Sequence, residues 1–137
     1  MYYLRYFLLL LALCARFCGA CAQQPQNTAY QLYISQFKDL AIEQMQRYRI
    51  PASITLAQGL FESRAGQSRL ATVGNNHFGI KCHGWKGRSI NVDDDAIGEC
   101  FRAYDNARQS YEDHSKFLRN NQRYAMLFQL SPTDYRG

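Results

Sequence analysis

The sequence predicts an α+β domain that is mainly helical, with a small antiparallel lobe set between helices. Three observations carry this expectation. Apolar residues recur at helical spacing from Tyr30 to Tyr48 and again from Asn106 to Asn120. Between them, Pro51 to Gly66 is a run of helix formers interrupted only at Gly59. From Phe78 to Tyr104 the helical period gives way to turn residues and short alternating stretches such as Glu99-Cys100-Phe101-Arg102-Ala103-Tyr104. The chain has 137 residues, enough for one domain around one core.

The N-terminus reads as an export signal over residues 1–22. Arg5 gives a positive start, Phe7 to Ala15 is an apolar run, and Ala20-Cys21-Ala22 places small residues at both positions that define a cut after Ala22. The run is short for a bilayer, so no stable membrane span is expected once the signal is removed. Cleavage before Cys21 with lipidation of that cysteine is the alternative, although Cys18-Gly19-Ala20 lacks the leucine usual in such signals. Residues 23–29 are polar, contain Pro25 and read as a tether; residues 30–137 form the expected domain.

The first helix of that domain, Tyr30 to Tyr48, carries an apolar stripe of Tyr33, Phe37, Leu40, Ala41, Met45 and Tyr48. Next, Pro51 suits the opening position of a helix because its missing N–H costs nothing there. In this second helix Ile54, Ala57 and Phe61, with Leu60 beside them, are expected to face the core. Thr55, Gln58, Gly59, Glu62 and Gly66 fall on another face, small and polar, against which something bulky can lie. Glu62 stands near the helix end. A carboxyl on an otherwise apolar helix can keep its proton to higher pH, as a general acid must; the plain alternative is a solvated helix-end carboxylate.

Asn75-Asn76 favours a turn, and Gly79 permits close backbone approach. A strand is expected from Phe78 and a second at Ser89 to Val92, with Asp93-Asp94-Asp95 following as a hairpin tip. Cys82 and Cys100 are the two cysteines left after removal of residues 1–22, and in an exported protein such a pair points to a disulfide across the lobe. His77 and His83 lie near Cys82, which makes zinc the alternative. Their spacing matches no common ligand pattern, so neither metal nor cofactor is expected. Asn106 and Gln109 can cap the next helix, whose Tyr111, His114, Ser115 and Leu118 share a face; His114 there reads as a core histidine. A shorter helix, Arg123 to Leu130, is expected to turn Tyr124, Leu127 and Phe128 inward.

Net charge is +5; residues 1–22 hold Arg5 and Arg16 and no acid, leaving 14 basic against 11 acidic side chains. A mild basic excess fits an anionic envelope polymer, and no Lys/Arg block points to nucleic acid. The ten Tyr and eight Phe are explained first by core packing, although carbohydrate sites also use aromatic faces.

Several of these segments occur together in one known family. Ile50-Pro51-Ala52-Ser53-Ile54-Thr55-Leu56-Ala57-Gln58 with Phe61-Glu62-Ser63 comes first, then Asn75-Asn76-His77-Phe78-Gly79-Ile80-Lys81, then Phe101-Arg102-Ala103-Tyr104. Tyr111-Glu112-Asp113-His114-Ser115 and Arg123-Tyr124-Ala125 follow in order. Over roughly residues 30–137 the chain resembles the bacterial N-acetylglucosaminidase domain of glycoside hydrolase family 73, including the flagellar-rod peptidoglycan hydrolases. The resemblance implies a lysozyme-like fold, two lobes with a cleft between them. It also implies hydrolysis of the peptidoglycan glycan strand after N-acetylglucosamine, in the periplasm, the cell envelope or outside the cell.

Position by position, Glu62 matches the family's catalytic acid, with Gln58 and Thr55 lining the cleft beside it. Asn76, Phe78 and Gly79 match the motif that shapes the floor of the sugar site. The acidic position of the β-lobe falls within Asp93-Asp94-Asp95, first at Asp95 and then at Asp94. Such a pair makes chemical sense: one carboxyl donates a proton to the leaving oxygen, and the other stays ionised to activate water or steady the sugar cation. The Asp run is otherwise a solvated hairpin tip. Relatives continue with a helix and a Gly-Tyr-Ala-Thr segment that nothing up to Gly137 supplies, so a chain truncated relative to the family is expected. Two alternatives stand beside hydrolysis: a lytic transglycosylase, which needs one acid only, and a non-catalytic peptidoglycan-binding module.

Overall fold

A computed structural model of the chain describes residues 28–94 and 97–131. The signal, most of the tether, Asp95 and the segment from Pro132 to Gly137 lie outside the described residues. Helix α1 spans Thr28–Tyr48, α2 Ala52–Glu62 and the short α3 Arg69–Gly74. A two-stranded antiparallel sheet follows, β1 Ser89–Val92 and β2 Glu99–Arg102, then α4 Ala107–Asn120 and a 3-10 helix over Gln122–Gln129. The architecture is the mainly helical α+β arrangement expected, with α1 starting two residues earlier than the sequence indicated. No helix among the described residues is long and apolar enough to cross a membrane.

The stripe of α1 builds the core. Tyr33, Phe37 and Ala41 pack with Phe78, Ile80 and Tyr111, while Leu56 and Leu60 of α2 close the edge. Gln44, three residues beyond Ala41 and absent from the expected stripe, is also fully buried.

The face that α2 turns to this core corrects the sequence reading. Thr55, Gly59 and the following Ser63 are buried, whereas Ile54 is 47% and Phe61 80% exposed. The reason is steric. A Cβ placed on Gly59 would stand 2.6 Å from the Tyr33 hydroxyl and 3.2 Å from that of Tyr111. Two large rings from α1 and α4 converge on one point of α2, and only its small face can receive them. The bulky group against that face is the protein's own tyrosine pair. Gly59→Ala is therefore expected to destabilise the fold by about 1–3 kcal/mol, the usual cost of overpacking a filled core. Thermal melting checks this, and an unchanged midpoint would refute it.

The β-lobe is also smaller than expected. Ser89 pairs with Arg102 and Val92 with Glu99, but the strand expected from Phe78 is a single bridge, Lys81 to Phe101. Asn76 explains the difference. Its Oδ1 accepts from the amides of Phe78 (3.3 Å) and Ile80 (3.1 Å), and its Nδ2 donates to the carbonyls of Ile80 (3.0 Å) and Arg102 (2.9 Å). A side chain has taken backbone groups that a ladder would have used, and the segment folds into a loop. Beyond it, Arg102 N donates to Ile80 O and Cys82 N to Cys100 O, each at 3.0 Å, so the loop runs along the free side of β2. The Cys82–Cys100 disulfide fastens it there, with Cα atoms 5.5 Å apart.

Helix α4 starts at the expected cap. Asn106 Oδ1 accepts from Gln109 N, and the Gln109 side chain reaches back to accept from Asp105 N. Asp113 on α4 joins the lobes, accepting from Arg102 Nη1 at 2.8 Å and from the Tyr104 hydroxyl at 2.6 Å. The segment expected as a helix from Arg123 to Leu130 is the 3-10 helix. It buries no residue, and Leu127, expected inward, is 55% exposed.

Candidate active site

The site is set by how α2 ends. Arg64, Ala65 and Gly66 have φ of 51°, 55° and 80°, three left-handed residues in succession. The two that are not glycine cost about 1–2 kcal/mol each in that conformation. Ser63 holds the turn: its buried Oγ donates to Gly59 O at 2.5 Å and accepts from Gly66 N at 2.7 Å. Ala65 N closes the helix end on Leu60 O at 2.7 Å. Glu62 is thus the last helical residue before a clamped reversal. Its side chain is exposed, with no ion-pair or hydrogen-bond partner among the described residues.

Opposite Glu62 stands bare backbone. Gly79 has φ of 62°, and a Cβ there would lie 4.0 Å from Glu62 Oε2. Asn76 fixes this loop from beneath, so Gly79 and the ring of Phe78 are presented by a hydrogen-bonded frame. Glu62 and Gly79 together border two cavities of about 290 Å³ each. The first is lined by Gln58, Phe78, Lys81, His114 and Tyr124 among others. The second lies towards the hairpin, between Arg64, Ser68 and Arg69 on one side and Val92, Asp93 and Asp94 on the other.

Of the residues expected in the site, the structure brings Glu62, Gln58, Phe78 and Gly79 to the first cavity and Asp94 to the second. Thr55 is not among them. It is fully buried beneath α2, and its Oγ1 has no hydrogen-bond partner among the described residues, so it cannot line the cleft as expected. Asn76, 1% exposed and fully hydrogen-bonded, supports the floor without forming its surface. Asp95 is outside the described residues.

His114 was legible as a core histidine but not as part of the cavity wall. Its ring stacks on Phe78 with centroids 3.9 Å apart and planes 11° from parallel. Burial lowers its pKa to about 4, against a smaller opposing pull from Asp113, so it is a neutral, flat wall at neutral pH. Behind it His77, also lowered to about 4 by burial, meets the Tyr33 hydroxyl at 3.1 Å, and Tyr33 meets Tyr111 at 3.0 Å. This buried network touches Gly59 and Ser63 from inside and so backs the helix that carries Glu62. Among the described residues no group of three His, Cys, Asp or Glu is placed to hold a metal ion.

An exposed, unpaired carboxyl at a helix end, an aromatic floor and a second acid across the cleft suit proton transfer to a neutral, ring-shaped substrate. Comparisons with known proteins identify the family. The family model Glucosaminidase, described as mannosyl-glycoprotein endo-beta-N-acetylglucosaminidase, matches residues 38–137. The exo-glucosaminidase LytG of Bacillus subtilis is 31% identical over 98 residues, which is 72% of this chain and 34% of that protein. The chain thus spans about a third of the length of that curated relative. The catalytic domain of the autolysin Auto from Listeria monocytogenes superposes with a TM-score of 0.61 at 28% identity, covering 80% of this chain and 67% of that one. A peptidoglycan hydrolase from Sphingomonas sp. A1 gives 0.62 at 28% identity, over 69% and 65%.

Proposed function

The chain belongs to the glucosaminidase family of glycoside hydrolases, and on that premise we propose that it hydrolyses the glycan strand of peptidoglycan after N-acetylglucosamine, with Glu62 as the general acid. One observation carries the assignment. Glu62 is the carboxyl common to both cavities, free of ion pairs among the described residues and facing backbone at Gly79. A sugar seated in the first cavity beside Phe78 would lie against it.

In this reading the bound N-acetylglucosamine lies across the Phe78–Gly79 floor and Gln58 supplies a polar contact from α2. Glu62 protonates the glycosidic oxygen as the bond to the sugar breaks. A carboxylate of the hairpin, Asp95 or Asp94, either activates the incoming water or steadies the oxocarbenium charge from the other side. The names of the three relatives described above, a glucosaminidase, an autolysin and a peptidoglycan hydrolase, support an exported enzyme of the cell envelope or the exterior, as does the disulfide.

Mass spectrometry of digested peptidoglycan tests the reaction. Products ending in reducing N-acetylglucosamine are expected. An anhydro sugar would mean a lytic transglycosylase, and binding without products a non-catalytic module. The hairpin acids are separable in the same assay. Asp95→Asn is expected to slow turnover by about 10²-fold or more, whereas Asp93→Asn should be mild. Asp93 Oδ1 accepts from Gly98 N at 2.7 Å, a turn contact that Asn can keep. Equal effects of the two substitutions would remove the hairpin from the chemistry.

A further inference from the structure

The second cavity carries a feature that sugar binding does not use. Arg47, Arg88, Arg102 and Arg108 each meet a carboxylate. Arg64 and Arg69, on the wall of this cavity, meet none among the described residues. Arg64 is held there by the left-handed turn that Ser63 clamps, two residues from Glu62. Across from the two arginines stand Asp93 and Asp94, the former turned into the hairpin through Gly98. The cavity is therefore lined by both signs of charge, and it opens directly from the acid.

We propose that this cavity is the subsite for the stem peptide of peptidoglycan, with Arg64 and Arg69 binding its carboxylates. The inference rests on cleavage after N-acetylglucosamine. That cut makes muramic acid the leaving sugar, so its O4 takes the proton from Glu62. The neighbouring O3 of the same ring carries the lactyl ether and the peptide. A substituent one ring atom from the leaving oxygen must lie beside Glu62, and the arginine cavity is bordered by that residue. Stem peptides bear carboxylates, and the two guanidinium groups on this wall suit them. Planar guanidinium forks favour carboxylates with two parallel hydrogen bonds.

The experiment measures binding, so it does not depend on turnover. Soluble glycan strands with intact stem peptides and strands stripped of peptide by an amidase compete for the full chain carrying Glu62→Gln. The stripped strands retain a free lactyl carboxylate. The peptide-bearing strands are expected to bind about ten-fold tighter or more. Adding Arg64→Gln and Arg69→Gln should collapse that preference towards equality, while Arg64→Lys with Arg69→Lys, which keeps the charge and loses the fork, should retain part of it. Melting curves confirm that each variant is folded. A preference unchanged by the glutamines, no preference at the outset, or equal weakening for both strands would overturn the proposal, the last by assigning the arginines to the lactyl group or to general charge. Failure of the hydrolysis reading is seen separately, as wild-type chain that releases no new reducing ends from either strand.

Discussion

Glu62→Gln is expected to lower turnover of peptidoglycan by about 10²–10⁴-fold, the range that general acid–base help typically supplies. Melting temperature should not fall, because the Glu62 side chain is exposed and makes no ion pair or hydrogen bond with the described residues. The amide keeps the shape and the polar contact but cannot release a proton to the leaving oxygen. Strand affinity should consequently survive, which separates this result from a loss of fold. The nearest wall offers no substitute acid: it is the backbone of Gly79, and Gln58, one turn earlier, carries an amide that donates hydrogen bonds but does not ionise. Initial rates of reducing-end release on sacculi provide the check. A variant within a few-fold of wild type would reduce Glu62 to a surface carboxylate.

The second large effect is expected from the disulfide. Cys82→Ser with Cys100→Ser should cost about 3 kcal/mol in the chain-entropy account of a loop this size. For a domain near 100 residues that lowers the melting temperature by more than roughly 10 °C. Activity should fall as well. The cross-link fastens the loop after Ile80 to β2, and that loop begins at Phe78 and Gly79 on the cleft floor. Melting and rate measurements on oxidised protein, reduced protein and the double variant test both parts. Identical melting with and without reductant would show that Asn76 and the β2 hydrogen bonds hold the floor without help.

Much of the fold was legible because it rests on period and on local chemistry. The α1 stripe, the Asn106 cap and the cysteine pair each depend on a few residues whose meaning does not change with context. The α2 face was misread because period shows that two faces differ, not which one is inside. Hydropathy favoured Ile54 and Phe61; the convergence of Tyr33 and Tyr111 on Gly59 favoured the small side, and that contact joins residues 26 and 52 positions apart along the chain. Phe78 was misassigned to a strand because the four hydrogen bonds of Asn76 include one to Arg102, a partner invisible locally. Within the site, family motifs marked Glu62, Gln58, Phe78 and Gly79. Nothing in the spacing of α4 distinguished His114 as a cavity wall from His114 as filler, since it is both.

The bare main chain facing Glu62 has a consequence for how such a cleft can diverge. With a positive φ at Gly79 and no Cβ, the wall opposite Glu62 is set by the backbone trace alone. No rotamer at position 79 can move that wall, and a side chain there would meet the strain of a positive φ. On the proposed function, variation in what is accepted would fall at the two ends of the groove, towards Tyr124 on one side and Arg64 and Arg69 on the other. On the proposed function, chemistry and selectivity would sit on separate parts of the molecule, and a library that diversified only the ends is expected to alter substrate range while leaving the Glu62–Gly79 wall in place.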